Sequence, residues 1–384
     1  MKDLKAHLRK PESVRVDLIY LLLFLLLLTL GAIMSYSASS VYGKTFYGDS
    51  AYFFKRYLFF ALISLGGITP FVLFTTPRFW AKLGVWLYIC AFFLLLLVLL
   101  IGTVGGGAKR WLVIGPLTIQ PSEIAKTALV LVLSLHFAKH EGEALRTKKG
   151  GGSFRHGVLI PGALIGVICL LVAAEKHISG LLIIAMLGVF MMFLGGTRWR
   201  YLGAMAAVVA AAGVLLVLVS GYAQVRVDTW LHIEEVDPLG SAWQTLQGLY
   251  AIGSGGFFGK GLGNGLQKHG YVAEPQNDFI FTVICEELGF VGAFCILMLF
   301  LMLVLRGFSI ARRAPDRFSS LVVFGISGKL ALQTLLNIAV VTNSMPNTGV
   351  SLPFFSSGGT FLAMQIFEMG IVLAISRYST GVKL

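Results

Sequence analysis

Long apolar runs separated by shorter polar segments dominate the pattern of this chain. Ten such runs approach the roughly 20 mostly apolar residues that a membrane-crossing helix needs. The runs lie near residues 17–36, 55–74, 81–102, 122–138, 157–174, 178–195, 201–220, 280–305, 318–342 and 359–376. The pattern predicts an all-α polytopic membrane protein with about ten transmembrane helices, in which residues 1–384 form a single integral membrane domain.

Composition agrees with this pattern and excludes an ordinary soluble protein. Hydrophobic residues make up 57% of the 384 residues and charged residues only 13%, with a mean hydropathy of +0.83. A soluble chain would carry roughly 25% charged residues. The basic tail 1–16 resembles the start of a signal peptide. Because many further spans follow the first apolar run, we expect that run to be an uncleaved helix.

The positive charges fall in alternate connections between the spans. The chain has 31 Lys and Arg against 18 Asp and Glu, and in a membrane protein such an excess marks cytoplasmic loops rather than a nucleic-acid surface. This alternation predicts an even number of spans with both termini cytoplasmic. It places the connections 103–121, 221–279 and 343–358 on the external side. In the long loop 221–279, between spans seven and eight, we expect short interfacial helices.

A glycine-rich run at 253–265 lies in that external loop. It lacks the spacing of a phosphate-binding P-loop, since Ser254 and Gly261 stand where that motif needs Gly and Ser or Thr. Two interpretations remain. The run is either a flexible, turn-rich loop, or a set of open backbone amides that approaches an anionic lipid headgroup together with Lys260.

Polar side chains near the start of span four form one candidate site. Lys109, Arg110 and Trp111 precede the span, and Glu123 and Lys126 lie on one face of its first turns. Interfacial anchoring and an ordinary helix start explain these residues structurally. Charges below the interface are costly, however, and usually line a cavity, so a functional role is the alternative.

Three ionisable residues in succession, Glu175, Lys176 and His177, separate spans five and six. A tight hairpin needs only polarity at such a turn. Three ionisable groups exceed that need, so a polar cavity lined by these side chains is the other interpretation.

The external loop 346–360 is rich in helix breakers, and its hydroxyl groups and glycines gather where span ten begins. Turn chemistry explains the Pro and Gly content. The position of Ser356, Ser357 and Thr360 favours re-entrant backbone that lines a polar cavity.

Acidic residues mark the start of span eight. Asp278 could simply cap the helix, but capping does not explain Glu286 and Glu287 about two turns into the span. Lys329 and Glu368 add charges in spans nine and ten. We therefore expect a paired internal network, in which Lys329 binds Glu368 or Glu286.

Together these motifs resemble the SEDS family, the FtsW, RodA and SpoVE group, over nearly the whole chain. The run Gln247–Gly256 and the pair Gln267-Lys268 look more like the FtsW and SpoVE branch than the RodA branch. Three positions depart from frequent family patterns. Lys176-His177 stands where Pro-Asp is frequent, Asn277 where Thr is frequent, and Ser356-Ser357 where Ser-Tyr is frequent.

The resemblance implies a ten-span fold and a peptidoglycan glycosyltransferase that polymerises lipid II in the bacterial plasma membrane, including the division septum. It implies a class B penicillin-binding protein and other divisome or elongasome proteins as partners, and no nucleic acid. The family's essential aspartate falls on Asp278, the candidate general base, with undecaprenyl pyrophosphate as the leaving group. The candidate substrate-binding residues are Arg56, Lys109, Arg110, Trp111, Glu123, Lys126, Glu175, His177, Gln247, Lys260, Glu274, Ser356, Ser357 and Gly358.

A divalent cation such as Mg²⁺ or Mn²⁺ could help to offset the pyrophosphate charge, but no cluster of metal ligands in the sequence identifies one, and no certain cofactor is expected. Two rival functions share the same features. A lipid II flippase or transporter would use the same polar cavity, and a non-catalytic division scaffold would need no essential aspartate. Division, elongation and sporulation remain open as the process served.

Overall fold

The structure is a computed structural model that describes residues 16–68, 70, 74–105, 108–115, 117–141, 154–235, 237, 240–356 and 359–379. The described residues form twelve α-helices and one small sheet. The first six helices are α1 Leu18–Tyr47, α2 Tyr52–Ile63, α3 Pro77–Ile101, α4 Pro121–Lys139, α5 Ile160–Ala174 and α6 Ile178–Leu194. The other six are α7 Trp199–Val219, α8 Gly221–Leu231, α9 Trp243–Ser254, α10 Ile280–Arg312, α11 Arg317–Val341 and α12 Gly359–Ser376.

Helix lengths confirm the mostly helical membrane class. Within the described residues, eight helices are long and apolar enough to cross a membrane: α1, α3, α4, α5 with the π-helical turn Arg155–Leu159 before it, α7, α10, α11 and α12. Helix α6 is apolar but has only 17 residues. The second predicted span corresponds to α2 and the π-helical turn Ser64–Ile68, beyond which several residues are not described. The count of ten therefore stays a prediction.

Polar contacts gather several helix ends at one end of the bundle, which we call the basic end. The Asp17 amide donates to Ser376 Oγ at 3.0 Å, and Arg306 Nε donates to the Asp17 carboxylate at 3.0 Å. Arg317 donates to the Leu194 carbonyl at 2.7 Å. The start of α1, the far part of α10 and the end of α12 therefore meet on one side, as the alternation of basic connections predicts.

The opposite, outer end carries the irregular segments. Strands β1 Thr103–Gly105, β2 Ala108–Ile114 and β3 Leu117–Ile119 form an antiparallel sheet, with Thr103 opposite Trp111 and Leu112 opposite Ile119. The sequence pattern did not predict this sheet. The short helices expected within 221–279 are present as α8 and α9.

The central helices are α4, α11 and α12, which are mostly buried, whereas α7 is almost wholly exposed on the outside of the bundle. The intramembrane charges lie on the central helices. Lys329 Nζ is 2.6 Å from Glu368 Oε1, and both side chains are buried, so the first of the two expected partners of Lys329 is confirmed. Thr127 Oγ1 also donates to Glu368 Oε1.

The external loop 343–356 re-enters the bundle, as its composition suggested. The Phe354 carbonyl accepts a hydrogen bond of 2.6 Å from Tyr57 Oη, and it lies so close to Gly31, in the middle of α1, that a Cβ there would overlap it. The Phe354 ring packs against Phe24 and Phe300, with centroids 5.6 and 6.2 Å away. Aromatic rings in the apolar core therefore hold the deepest part of this re-entrant segment.

The glycine-rich run is inserted into a break in α10 at Gly289, whose φ is +68°. The Lys260 amide donates to the Glu286 carbonyl, and the Phe290 amide donates to the Gly256 carbonyl, each at 2.9 Å. These bonds replace helix bonds that the break removes. Gly259 is required here because a Cβ would overlap the Glu287 carbonyl. The run is turn-rich, as the first sequence interpretation had it, and several of its amides bind the protein itself.

The same segment explains the two buried acids of α10. Glu286 accepts from Lys260 Nζ at 2.8 Å and from the Leu266 amide at 2.9 Å. Glu287 accepts from Lys268 Nζ at 2.7 Å and from Ser37 Oγ on α1 at 2.6 Å. A buried carboxylate is tolerated when it is paired and hydrogen-bonded. The two acids therefore fasten the external loop 221–279, which we call the outer segment, to α10 and α1.

Candidate functional site

Asp278 lies at the outer end, directly before α10. The N-cap of α10 is Phe279, so the interpretation of Asp278 as the helix cap is wrong. The Asp278 carbonyl accepts a hydrogen bond of 2.7 Å from Asn337 Nδ2, and the same amide nitrogen donates to the Val350 carbonyl at 2.7 Å. Asn337 is fully buried on α11. It therefore fixes the backbone of the acid relative to the re-entrant segment.

The re-entrant segment forms one wall around Asp278. A Cβ on Gly349, whose φ is +71°, would lie 3.0 Å from Asp278 Oδ2, so the carboxylate is close to bare backbone. Ser356 Oγ donates to the Asn277 carbonyl at 2.7 Å, and Asn277 Nδ2 donates to Glu274 Oε2 at 2.8 Å. The predicted residues Ser356 and Glu274 thus lie beside the acid.

The electrostatic surroundings of Asp278 suit a proton acceptor. Burial raises the pKa of its carboxyl above the usual 3.8, its own amide lowers it, Glu274 raises it further, and Arg226 and Arg110 lower it. The net effect on the pKa is upward. A carboxylate with a raised pKa takes a proton more readily.

A second polar group lies close to Arg110 of β2. Glu175 and His177 are buried on the turn between α5 and α6. Burial raises the pKa of Glu175 to about 8, against the opposing charge of Arg110. Burial lowers the pKa of His177 well below 6.5, and Arg110 and Lys126 lower it further. Both side chains are therefore mainly uncharged at neutral pH. A hairpin turn that needs only polar residues would not require buried, uncharged side chains.

Several buried atoms of this group have no hydrogen-bond partner within the described part of the protein: Ser122 Oγ, Glu123 Oε2, Glu175 Oε1, His177 Nδ1 and Ser179 Oγ. Buried polar atoms are nearly always satisfied. The presence of such atoms at both candidate stretches favours a polar cavity over the structural alternatives. The other oxygen of Glu123 accepts from Lys126 Nζ at 2.6 Å, in a buried pair on the first turns of α4.

The remaining predicted residues are more scattered. Arg56 donates to Thr118 Oγ1 of β3 at 2.9 Å, and Thr360 donates to the Thr118 carbonyl, so α2 and α12 meet the sheet there. Lys109 is exposed and donates to the Leu99 carbonyl at 3.5 Å. Trp111 and Gln247 are half-buried, on β2 and α9. Ser357 and Gly358 lie outside the described residues. Lys260 forms an ion pair with Glu286. The predicted approach of Lys260 to an anionic lipid headgroup stays a prediction.

Two residues that matter to the site were not among the sequence candidates. Arg226 of α8 acts electrostatically on Asp278 and donates to the Asn347 carbonyl of the re-entrant segment. Asn337 is a buried amide within an apolar span. The available signals were one of the few cations in the long external loop and an amide among apolar residues, and neither signal indicates which residue it will contact.

The outer site offers little to a divalent cation. The positive charges of Arg110 and Arg226 act on Asp278 there, beside the negative charge of Glu274, whereas Mg²⁺ prefers several oxygen ligands. The Mg²⁺ or Mn²⁺ ion that would offset the pyrophosphate charge stays a prediction. Where the chain is described, one group of His, Cys, Asp and Glu side chains has ligand spacing: His136, His140 and His156, at the basic end.

Replacing Glu175 by Gln should reduce the pH dependence of folding stability. The pKa of Glu175 is 4.5 in an unfolded chain and about 8 in the folded protein. Between these two pH values the unfolded chain has released the proton that the folded protein keeps. The contribution of Glu175 to the free energy of unfolding of the wild type is therefore greatest below pH 4.5 and is lost as the pH rises towards 8. In detergent, the Tm of Glu175→Gln relative to wild type should rise with pH across this window. The exposed Glu234→Gln control should show a constant difference. A constant difference for Glu175→Gln as well would contradict the buried, protonated state.

Comparison with known proteins confirms the family resemblance over nearly the full length of the chain. The family described as "Cell cycle protein", whose name combines FtsW, RodA and SpoVE, matches residues 17–381. The chain is 39% identical over 369 residues to the stage V sporulation protein E of Bacillus subtilis, covering 94% of this chain and 97% of the relative. It is 37% identical over 382 residues to a probable peptidoglycan glycosyltransferase FtsW of Trichlorobacter lovleyi, covering 98% and 97%.

Two solved structures are similar in fold. One is a chain from work on "Structural coordination of polymerization and crosslinking by a peptidoglycan synthase complex", with a TM-score of 0.77 and 26% identity, covering 96% of this chain and 99% of that one. The other is the rod shape determining protein RodA of Thermus thermophilus, with a TM-score of 0.68 and 25% identity, covering 96% and 98%.

Proposed function

Since the chain belongs to the FtsW, RodA and SpoVE family, we propose that it is a peptidoglycan glycosyltransferase that polymerises lipid II, the undecaprenyl-pyrophosphate-linked disaccharide peptide. Relatives that share more than a third of its residues carry the name peptidoglycan glycosyltransferase. The single observation that carries the proposal is Asp278, a half-buried carboxylate with a raised pKa, whose backbone carbonyl is bound by Asn337 and on whose charge two arginines act.

The reaction joins a sugar hydroxyl to the anomeric carbon of a second unit. Asp278 accepts the hydroxyl proton while the oxygen attacks that carbon, and the bond from the carbon to the lipid pyrophosphate breaks. The leaving group departs as undecaprenyl pyrophosphate and carries the electron pair of the broken bond. A carboxylate with a raised pKa holds the transferred proton better than an ordinary aspartate does, which is the advantage of burial at this position.

Cations near the acid would offset the charge that develops on the pyrophosphate. Arg110 and Arg226 are the strongest candidates because both act on Asp278. Lys126 and Lys260 are already paired with Glu123 and Glu286, so they have less charge to offer. The unsatisfied polar atoms around Glu175 and His177 would bind sugar or peptide groups of the substrate.

The same relatives support a proposal for the setting in which the chain works. Its family membership and apolar helices make it a membrane protein, and we place it in the bacterial plasma membrane, working with a class B penicillin-binding protein that cross-links the glycan. The similar chain from a peptidoglycan synthase complex supports such a partner. Relatives named for sporulation and for FtsW favour a role in sporulation or division, at the septum, among other divisome proteins.

The test uses the full chain in liposomes with labelled lipid II, with and without a class B penicillin-binding protein from the same organism. We expect glycan polymer on a gel in at least the reaction that contains the partner. Transfer of labelled lipid between leaflets without polymer in either reaction would overturn the proposal in favour of a flippase. Neither polymer nor transfer, from a folded protein with its partner, would favour a scaffold.

A further inference from the structure

Three histidines meet at the basic end, away from Asp278. His136 lies in the last turn of α4, His140 is the C-cap of that helix, and His156 lies in the π-helical turn before α5. One ring nitrogen from each lies within 4.8 Å of the others. The rings of His140 and His156 are nearly parallel, with centroids 4.2 Å apart. The outer site is about 20 Å away along α4, since Glu123 and His136 are 13 residues apart.

Hydrogen bonds to backbone carbonyls fix two of the rings. His140 Nδ1 lies 2.9 Å from the His136 carbonyl, and His136 Nε2 lies 2.8 Å from the His156 carbonyl. A carbonyl only accepts, so each of these nitrogens carries a proton. In the neutral ring the other nitrogen then has a free lone pair, His140 Nε2 and His136 Nδ1 respectively. Histidines that bind metals are held by this kind of second hydrogen bond.

We propose that His136, His140 and His156 bind one divalent late transition metal ion, of which Zn²⁺ is the leading candidate. Imidazole nitrogens suit Zn²⁺, Ni²⁺ and Cu²⁺, whereas Mg²⁺ and Ca²⁺ need oxygen ligands. Lys139 and Arg155 adjoin the cluster in sequence, and their charges disfavour an ion held only by electrostatics. Only an ion that forms strong bonds to nitrogen overcomes that repulsion.

The geometry requires a small closure. Tetrahedral bonds of about 2.0–2.1 Å to nitrogen place the ligand atoms about 3.4 Å apart, so side-chain rotations must shorten separations that reach 4.8 Å by up to about 1.4 Å. Three histidines leave a fourth position for water. The bound ion would connect the end of α4 to the start of α5 across the connection 142–153. It would also steady the helix whose opposite end carries Glu123 and Lys126.

The test measures metal binding by the full chain, purified in detergent through an affinity tag without histidines and treated with a chelator. Co²⁺ serves as the visible probe and Zn²⁺ as its competitor. We expect one equivalent of Co²⁺ with the absorption of a tetrahedral site, displaced by Zn²⁺. His140→Ala and His156→Ala should each weaken binding at least about tenfold. Zn²⁺ should raise the Tm of wild type but not of these variants.

His232→Ala is the matched control. His232 is an exposed histidine of the outer segment, 3.2 Å from Asp228, and its loss should leave Co²⁺ and Zn²⁺ binding unchanged. His140→Gln, which keeps polarity at the helix end, separates loss of the ligand from loss of fold. Absence of stoichiometric binding by the folded wild type would overturn the proposal. So would unaltered binding in folded His140→Gln and His156→Ala.

Discussion

Asp278→Asn loses at least about 100-fold of its lipid II polymerisation rate, the contribution expected of a general base, while it inserts and folds like wild type. Asn keeps the size of Asp and the backbone carbonyl that binds Asn337. It cannot accept the hydroxyl proton. Because Phe279, and not Asp278, is the N-cap of α10, no helix cap is lost in this variant. The measurement is the initial rate of glycan polymerisation, with thermal unfolding in detergent as the check on folding.

Asp228→Asn provides the control for this prediction. It makes the same chemical change on α8 of the outer segment, where the Asp228 side chain is 70% exposed, and it should polymerise at the wild-type rate. Binding of the penicillin-binding partner should also be equal in wild type, Asp228→Asn and Asp278→Asn. Near-normal polymer from Asp278→Asn would exclude the acid as the base and make Glu123, Glu175 and Glu286 the next carboxylates to test.

Lys329→Met destabilises the folded protein by about 3–5 kcal/mol, the loss that follows when one partner of a buried ion pair is removed. Lys329 and Glu368 are both almost completely buried and their charged atoms are 2.6 Å apart. Met fills much the same volume, so the cost comes from the carboxylate that is left unpaired and not from a cavity. The measurement is the shift of the unfolding transition in detergent, which should be a clear fall in Tm.

Two variants test that explanation. Lys55→Met makes the same substitution in the exposed pair of Lys55 and Asp49, whose atoms are 2.7 Å apart, and should leave the Tm nearly unchanged. The double variant Lys329→Met with Glu368→Gln removes both charges and should recover much of the lost stability, because no unpaired charge remains. An unchanged Tm for Lys329→Met alone would mean that the Glu368 charge reaches water.

The family resemblance identified Asp278, but the residues that surround this acid had to come from the structure. The sequence offered helix capping as an alternative for Asp278. The structure decides against this alternative because the N-cap of α10 is the next residue, Phe279. Arg226 and Asn337 are separated from Asp278 by 52 and 59 residues. Contacts over such distances depend on how α8 and α11 pack against the end of α10, and no local pattern encodes that packing.

The glycine-rich run illustrates the same limit. Its composition is compatible with a flexible loop, and only the break at Gly289 explains why Gly259 is needed. Backbone amides carry no side-chain signature, so the sequence cannot indicate which carbonyls they will bind. The histidine cluster is similar, because His136 and His140 show a helical spacing but His156 joins them only through the packing of α5 beside α4.

The sequence by itself determined the membrane class, most of the spans, the alternation of their connections and the existence of paired intramembrane charges. It did so because the cost of placing polar groups in lipid acts on each segment separately. The tertiary structure decided which acid pairs with which base, how the re-entrant segment reaches Asp278 and where Arg110 meets Glu175. Those outcomes depend on contacts between helices that are distant in the chain, where geometry and burial select one partner among several of equal chemistry.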